Sequence, residues 1–149
     1  MSSISVVDVL NAVNKKLVEW FDYTIYIAEM PENFERPSFF LTVDGMTKKA
    51  VSFNNVEKTF TLRVVCYAEK NERFSSDTIA ILTMSEEVME LFDSGKLAVG
   101  ERQLNVEASI ETNTEKDVIY VSIKVKGFDE HKESKENLPF VESVRTRFN

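Results

Sequence analysis

Between Gln103 and Lys126 apolar and polar side chains alternate across two segments, and this constrains the fold more than any other feature of the chain. Leu104, Val106, Ala108 and Ile110 alternate with Gln103, Asn105, Glu107, Ser109 and Glu111. Asn113 to Asp117 interrupts the pattern, and Ile119, Val121, Ile123 and Val125 then alternate with Tyr120, Ser122, Lys124 and Lys126. Successive strand side chains point to opposite faces, so each segment predicts a strand with one apolar and one polar face. Joined by a short loop, they predict a hairpin of an antiparallel sheet, and other parts of the chain must cover its apolar side.

Two helices are expected to do so. Val6, Leu10, Val13, Leu17 and Phe21 recur at helical spacing, with Ser5 as a cap and Asp8 three residues later, which predicts a helix over Val6–Phe21. Ser75 or Ser76 caps a second helix with Asp77 in its first turn. Ile81, Leu82, Ser85, Val88, Met89 and Phe92 form one side, and Gly95 is the stop. Met84 and Met89 read as core packing.

Between the helices lie short strands at Thr24–Ala28 and Ser38–Val43 and a turn signal at Asp44-Gly45. Lys48–Asn55 reads equally as strand or loop. Val56–Ala68 is the longest strand, with Phe60, Leu62, Val64 and Cys66 on one parity. Thr59, Thr61, Arg63 and Tyr67 take the other, and Val65 is the exception. Lys70–Phe74 reads as a polar loop.

The order predicts an α+β fold, a mostly antiparallel sheet packed by two amphipathic helices. Residues 1–128 form a single domain in this reading. Residues 129–149 comprise a charged linker, Asp129–Asn137, and a C-terminal arm. Pro139, Phe140, Val141, Val144 and Phe148 make the arm too apolar for a free tail, and predict that it docks on a neighbouring subunit or adds an edge strand.

Composition excludes several functions. With 149 residues and 43% hydrophobic content the chain has enough apolar material for one sizeable core. A net charge of −7 is opposite to the footprint of a nucleic-acid binder. The single cysteine, Cys66, forms no intramolecular disulfide and fits synthesis in a reducing compartment; it reads as a small buried hydrophobe. No apolar run approaches the ~18 residues of a membrane span, so no membrane partner is expected. MSSISVVDVLN lacks the basic and apolar regions of a secretory signal.

Chemistry is sparse. The one histidine, His131, lies in the charged linker with no second histidine or cysteine near it. Gly45, Gly95, Gly100 and Gly127 make no phosphate-cradling motif. Glu86, Glu87 and Glu90 fall on an exposed helix face. Glu101, Glu107 and Glu111 share the polar face of the hairpin, either as a solvated surface or, in a ring, as the wall of a lumen. No catalytic, cofactor or metal site is predicted, and the chain reads as a non-enzyme.

One segment stands apart: Tyr26–Phe40, YIAEMPENFERPSFF, joins two strands through a loop with two prolines and alternating charges. Pro31 and Pro37 restrict the backbone and lower the entropy lost on docking. Phe34 and Arg36 are residue types common at interface hot spots. Phe34 has two readings, an anchor for a neighbour or a side chain folded back on its own core.

This segment resembles the phage tail terminator, or tail completion, proteins of phages, prophages and phage-tail-like particles of Gram-positive bacteria. Ile25-Tyr26, Glu29, Phe34-Glu35-Arg36-Pro37, Phe39-Phe40 and the strand Phe60–Tyr67 carry the resemblance, which spans Val6–Tyr67. The family often has Gln before the Phe-x-x-Pro segment, whereas here Pro31-Glu32-Asn33 precedes Phe34.

The resemblance implies a structural virion protein assembled in the bacterial cytoplasm. It implies a homo-oligomeric ring, typically a hexamer, that caps the tail tube protein, stops its polymerisation and meets the head connector and, in contractile tails, the sheath. DNA would meet it only in transit through an acidic lumen. Glu29, Pro31, Phe34, Arg36 and Pro37 in the loop, and Phe140 and Phe148 in the arm, become the interface candidates. A head-side connector or minor capsid adaptor is the alternative, and a small carboxylate enzyme a distant third.

Overall fold

The computed structural model describes residues 3–69, 78–113 and 118–130. Within them, helices α1 (Val6–Trp20) and α2 (Thr78–Glu90) pack on one six-stranded sheet. The strands are β1 (Thr24–Ile27), β2 (Ser38–Ala50), β3 (Asn55–Tyr67), β4 (Lys96–Val99), β5 (Arg102–Asn113) and β6 (Val118–Glu130), in the spatial order β1-β2-β3-β6-β5-β4. Every neighbouring pair is antiparallel except β1 and β2.

Local chemistry sets the ends of α1. The Ser5 hydroxyl accepts the Val7 N–H at 3.1 Å, and Asp8 lies beside the helix's positive end. Phe21 turns extended (φ −111, ψ 145) while its N–H still reaches Leu17 O. Val9, Val13 and Leu17 are the fully covered positions, and Val6, Leu10 and Phe21 flank them half-buried. In α2, Met84, Ser85 and Val88 are buried, and the Ser85 hydroxyl is satisfied by Ile81 O at 2.8 Å.

The core lies between the helices and one face of the sheet. Phe39 and Leu41 of β2, Phe60, Leu62 and Val64 of β3, and Val121, Ile123 and Val125 of β6 are all fully buried there. Each such side chain contributes about 1.5–3 kcal/mol through removal from water. Cys66 belongs to the same face, and burial pushes its thiol up to about 11 from 9.0, with a Ser85 hydrogen bond opposing the shift. The alternation read in β3, β5 and β6 therefore sorts core from outer face as expected.

The structure corrects several boundaries. Lys96–Val99, not foreseen, is a fourth strand at one edge of the sheet, with Leu97 and Val99 buried between the positive-φ glycines Gly95 and Gly100. Asp44-Gly45 is no turn: β2 runs through it to Ala50. A register shift between Val43 and Gly45 absorbs one residue, so Met46 pairs with Phe60 on the face of Val43. Glu101 sits in the β4–β5 turn, not on the strand with Glu107 and Glu111.

Asp129 and Glu130, read as the start of the charged linker, are the last residues of β6, and Asp129 is buried. The Ser75–Asp77 cap, the Lys70–Phe74 loop, most of the 113–117 loop, the rest of the linker with His131, and the arm lie outside the described residues.

Candidate functional site

The loop Ala28–Pro37 is the connection between the parallel strands β1 and β2. Parallel neighbours need a return path, and a four-residue strand spans only ~13 Å, so a ten-residue loop suffices without a helix. The chain leaves β1 through Ala28, which takes a left-handed φ of 68 and donates its N–H to Leu41 O at 3.2 Å. Glu29 N then closes onto Ile27 O at 2.7 Å. The Arg36–Pro37 peptide bond is cis.

The register places the loop's contacts on the outer face, away from the helices. Phe39 faces α1, where its ring meets Phe21, so Phe40 and its partners Tyr26 and Val65 face outward. Tyr67, two residues beyond Val65, faces outward too. Phe34 packs tilted against Tyr67 at 4.7 Å and meets Tyr26 edge-on at 6.5 Å. Arg36 lies over both rings, 4.8 Å from Phe34 and 5.3 Å from Tyr67, and its Nη1 donates to Ala68 O at 3.1 Å. The Tyr26 hydroxyl accepts the Glu35 N–H at 2.9 Å, and the Thr24 hydroxyl donates to Glu35 Oε1 at 2.6 Å. Burial pushes the Tyr67 hydroxyl's pKa up, and the charge of Arg36 offsets part of that.

Phe34 does not enter the hydrophobic core: its ring lies half-buried on the outer face of its own sheet, with Arg36 laid over it. Arg36 and Pro37 are half-buried, while Glu29 and Pro31 stand exposed on the rim. Beside them an open groove of about 500 Å³ is lined by Glu32, Asn33, Phe34, Arg36 and Glu69. Phe140 and Phe148 lie outside the described residues.

The outer face continues across the sheet. Val65, the exception in the β3 alternation, is covered between its register partners Phe40 and Tyr120. Arg63 lies 4.0 Å over the Tyr120 ring and bridges Asp44 at 3.2 Å. Farther out, Glu107 and Glu111 of β5 are exposed, with Ser109 Oγ donating to Glu111 at 2.9 Å. This surface offers aromatic faces and guanidinium groups, which suit recognition of another protein. Among the described residues no three His, Cys, Asp or Glu side chains converge as a metal site, and no helix is long and apolar enough to cross a membrane.

Two features escaped the sequence reading. One is a buried ion network at the far end of the sheet, where Asp129 joins Lys58 and Arg102. Its signal was Lys58, which shares the parity of Phe60 and Leu62. The other is the exposed β2–β3 hairpin tip with Phe53.

Compared with known families, residues 8–137 match the model of a family described as phage tail terminator protein. No curated protein matches the chain.

Proposed function

This chain belongs to the phage tail terminator family, and on that premise we propose that it assembles as a ring of six copies, as its resemblance implies, on the last ring of tail tube subunits. The ring stops polymerisation and forms the surface that meets the head connector and, in a contractile tail, the sheath. The observation that carries this reading is the pre-shaped Ala28–Pro37 loop. Its inner side is pinned by Phe34, Arg36 and Glu35 to Tyr26, Tyr67 and Thr24, while Glu29, Pro31, Glu32 and Asn33 face solvent. A loop already held in one shape loses little entropy on docking, which favours a contact surface.

In such a ring the pinned side chains position the rim, and Glu29 and Pro31 are the groups in reach of a neighbour. With a net charge of −7 per chain, the lumen is acidic and DNA passes it without adhering. The virion, or a phage-tail-like particle, is the place of action.

Affinity capture of the tagged protein from cells making particles tests the assignment against a head-side adaptor. Tube subunits, with sheath subunits where the tail contracts, are expected in the eluate. Portal and capsid subunits without tube would refute the assignment.

A further inference from the structure

Two surface features far apart on this chain complement one another. The first is the end of the β2–β3 hairpin, where every residue from Met46 to Asn55 is exposed. Its turn is closed by Val51 N and Ser52 N donating to Asn55 O, with Asn55 N returning a bond to Ser52 Oγ. Phe53 stands at the tip with 87% of its surface in solvent, beside the half-exposed Val51. Lys48 and Lys49 flank it, and no acidic residue occurs from Met46 to Asn55. The hairpin tip is an aromatic knob with two exposed lysines on its β2 strand, where Glu57 of β3 lies opposite Lys49.

The second feature is a cleft of about 470 Å³ where the C-terminal ends of α1 and α2 meet. Trp20, 69% exposed, forms one wall and Leu91 contributes a second apolar surface. Glu19, Glu90 and Asp93 rim it against a single lysine, Lys16. The cleft is an apolar slot with an acidic edge. Leaving a phenylalanine and a tryptophan so open to water forgoes hydrophobic free energy that a docked partner would recover.

We propose that the hairpin tip of one copy seats Phe53 against Trp20 and Leu91 in the helix cleft of the next copy, with Lys48 and Lys49 facing Glu19, Glu90 and Asp93. This contact rests on the ring reading and names one pair of surfaces within it. The occupant is a second copy because both halves of a charge-complementary knob and slot are present on the same chain. They do not meet within one chain. Asn55, beside the knob, begins β3, whereas Trp20 adjoins Phe21, whose ring meets Phe39 at the register position of Cys66. Eleven residues of strand, about 36 Å, separate those levels. Two different patches that fit each other make a heterologous interface, the type that closes a ring; a two-fold dimer would need one self-complementary patch.

The test uses the full chain and reads mass by light scattering across a concentration series. Four proteins are compared: wild type, K48E/K49E, E90K/D93K, and the four substitutions combined. All four positions are exposed, and thermal melts check that each variant folds.

The expected result is a ring for wild type and a rise on the order of tenfold or more in the midpoint concentration for either charge reversal. The combined variant, with both signs exchanged, is expected to recover assembly. Wild-type rings that the reversals leave unchanged, or that the combination fails to rescue, overturn this contact and leave the ring reading standing. Variants that form normal rings but lose binding to purified tail tubes would assign the knob to the tube and also overturn it. A wild-type chain that stays monomeric alone and on purified tubes overturns the ring reading and this contact with it.

Discussion

Replacing Asp129 with asparagine is expected to cost about 3–5 kcal/mol of folding stability, as for one partner lost from a buried ion pair. Asp129 is 5% exposed, and each of its carboxylate oxygens is engaged. Oδ2 accepts from Lys58 Nζ at 2.8 Å and from the Ile4 N–H at 3.0 Å, while Oδ1 accepts from Arg102 Nη1 at 2.6 Å. Lys58 Nζ also donates to Ile4 O at 3.1 Å. The network thus holds β3, β6, the start of β5 and the segment before α1 together.

The amide would leave the buried Lys58 without its counter-ion and weaken the bond from Arg102. Ile4 would loosen too, and with it the packing of its side chain over Gly127, so close that an added Cβ there would lie 2.6 Å from Ile4 Cδ1. Urea denaturation of both proteins at neutral pH measures the loss.

The same network predicts a pH dependence. Burial alone pushes the Asp129 carboxyl up, but hydrogen bonds from Lys58, Ile4 and Arg102 and the charge of Lys58 outweigh it and hold the pKa below the ordinary 3.8. A depressed folded pKa means that the unfolded chain binds the proton first. The stability is therefore fully present above the unfolded value and is lost as pH falls from there through the folded one. Wild type is expected to lose stability on acidification below about pH 4, while the asparagine variant, already without the charge, loses less over that window. Parallel acid-induced losses in the two proteins would contradict this assignment.

The second large effect is expected at Phe39. Phe39→Ala should cost about 3–5 kcal/mol, the range for truncating a fully buried phenylalanine. Its ring is completely covered, edge-on to Phe21 at 4.8 Å and tilted against Tyr23 at 5.7 Å, and those two rings stack at 5.6 Å. This trio locks the end of α1 and the entry to β1 onto β2. Phe40→Ala is the internal comparison: its ring is half-buried on the outer face, so a smaller loss is expected from a chemically identical change. Guanidinium denaturation with an unchanged m-value would show that stability, and not the compactness of either state, has moved.

What the sequence disclosed tracks how local each signal is. Alternation in β3, β5 and β6, and the stripe of α1, are set by side chains within one element, and the structure keeps them. Lys96–Val99 was missed because four residues between two glycines give too short a period to read. The Asp44-Gly45 pair carries turn chemistry, but sheet pairing with β3 overrides it and turns it into a bulge. Asp129 looked like linker because its neighbours are charged. Only its position two residues beyond Gly127, on the buried parity of Val121, Ile123 and Val125, marks it as interior.

The loop's pinning was half legible. Proline placement announced a restricted backbone, yet the partners Tyr26, Tyr67 and Ala68 come together only through the β1–β2–β3 order. For the same reason the pairing of hairpin tip and helix cleft has no sequence signature, since it joins the end of one sheet to the ends of two helices.

A protein that ends the tail tube must set the length of the tail. The most direct measurement is the tail-length distribution, by negative-stain electron microscopy, of particles from a strain in which its gene is deleted and from the complemented strain. Overlong tails without attached heads are expected in the deletion, restored to uniform length and joined heads on complementation. Normal-length tails joined to heads in the deletion would refute the terminator role.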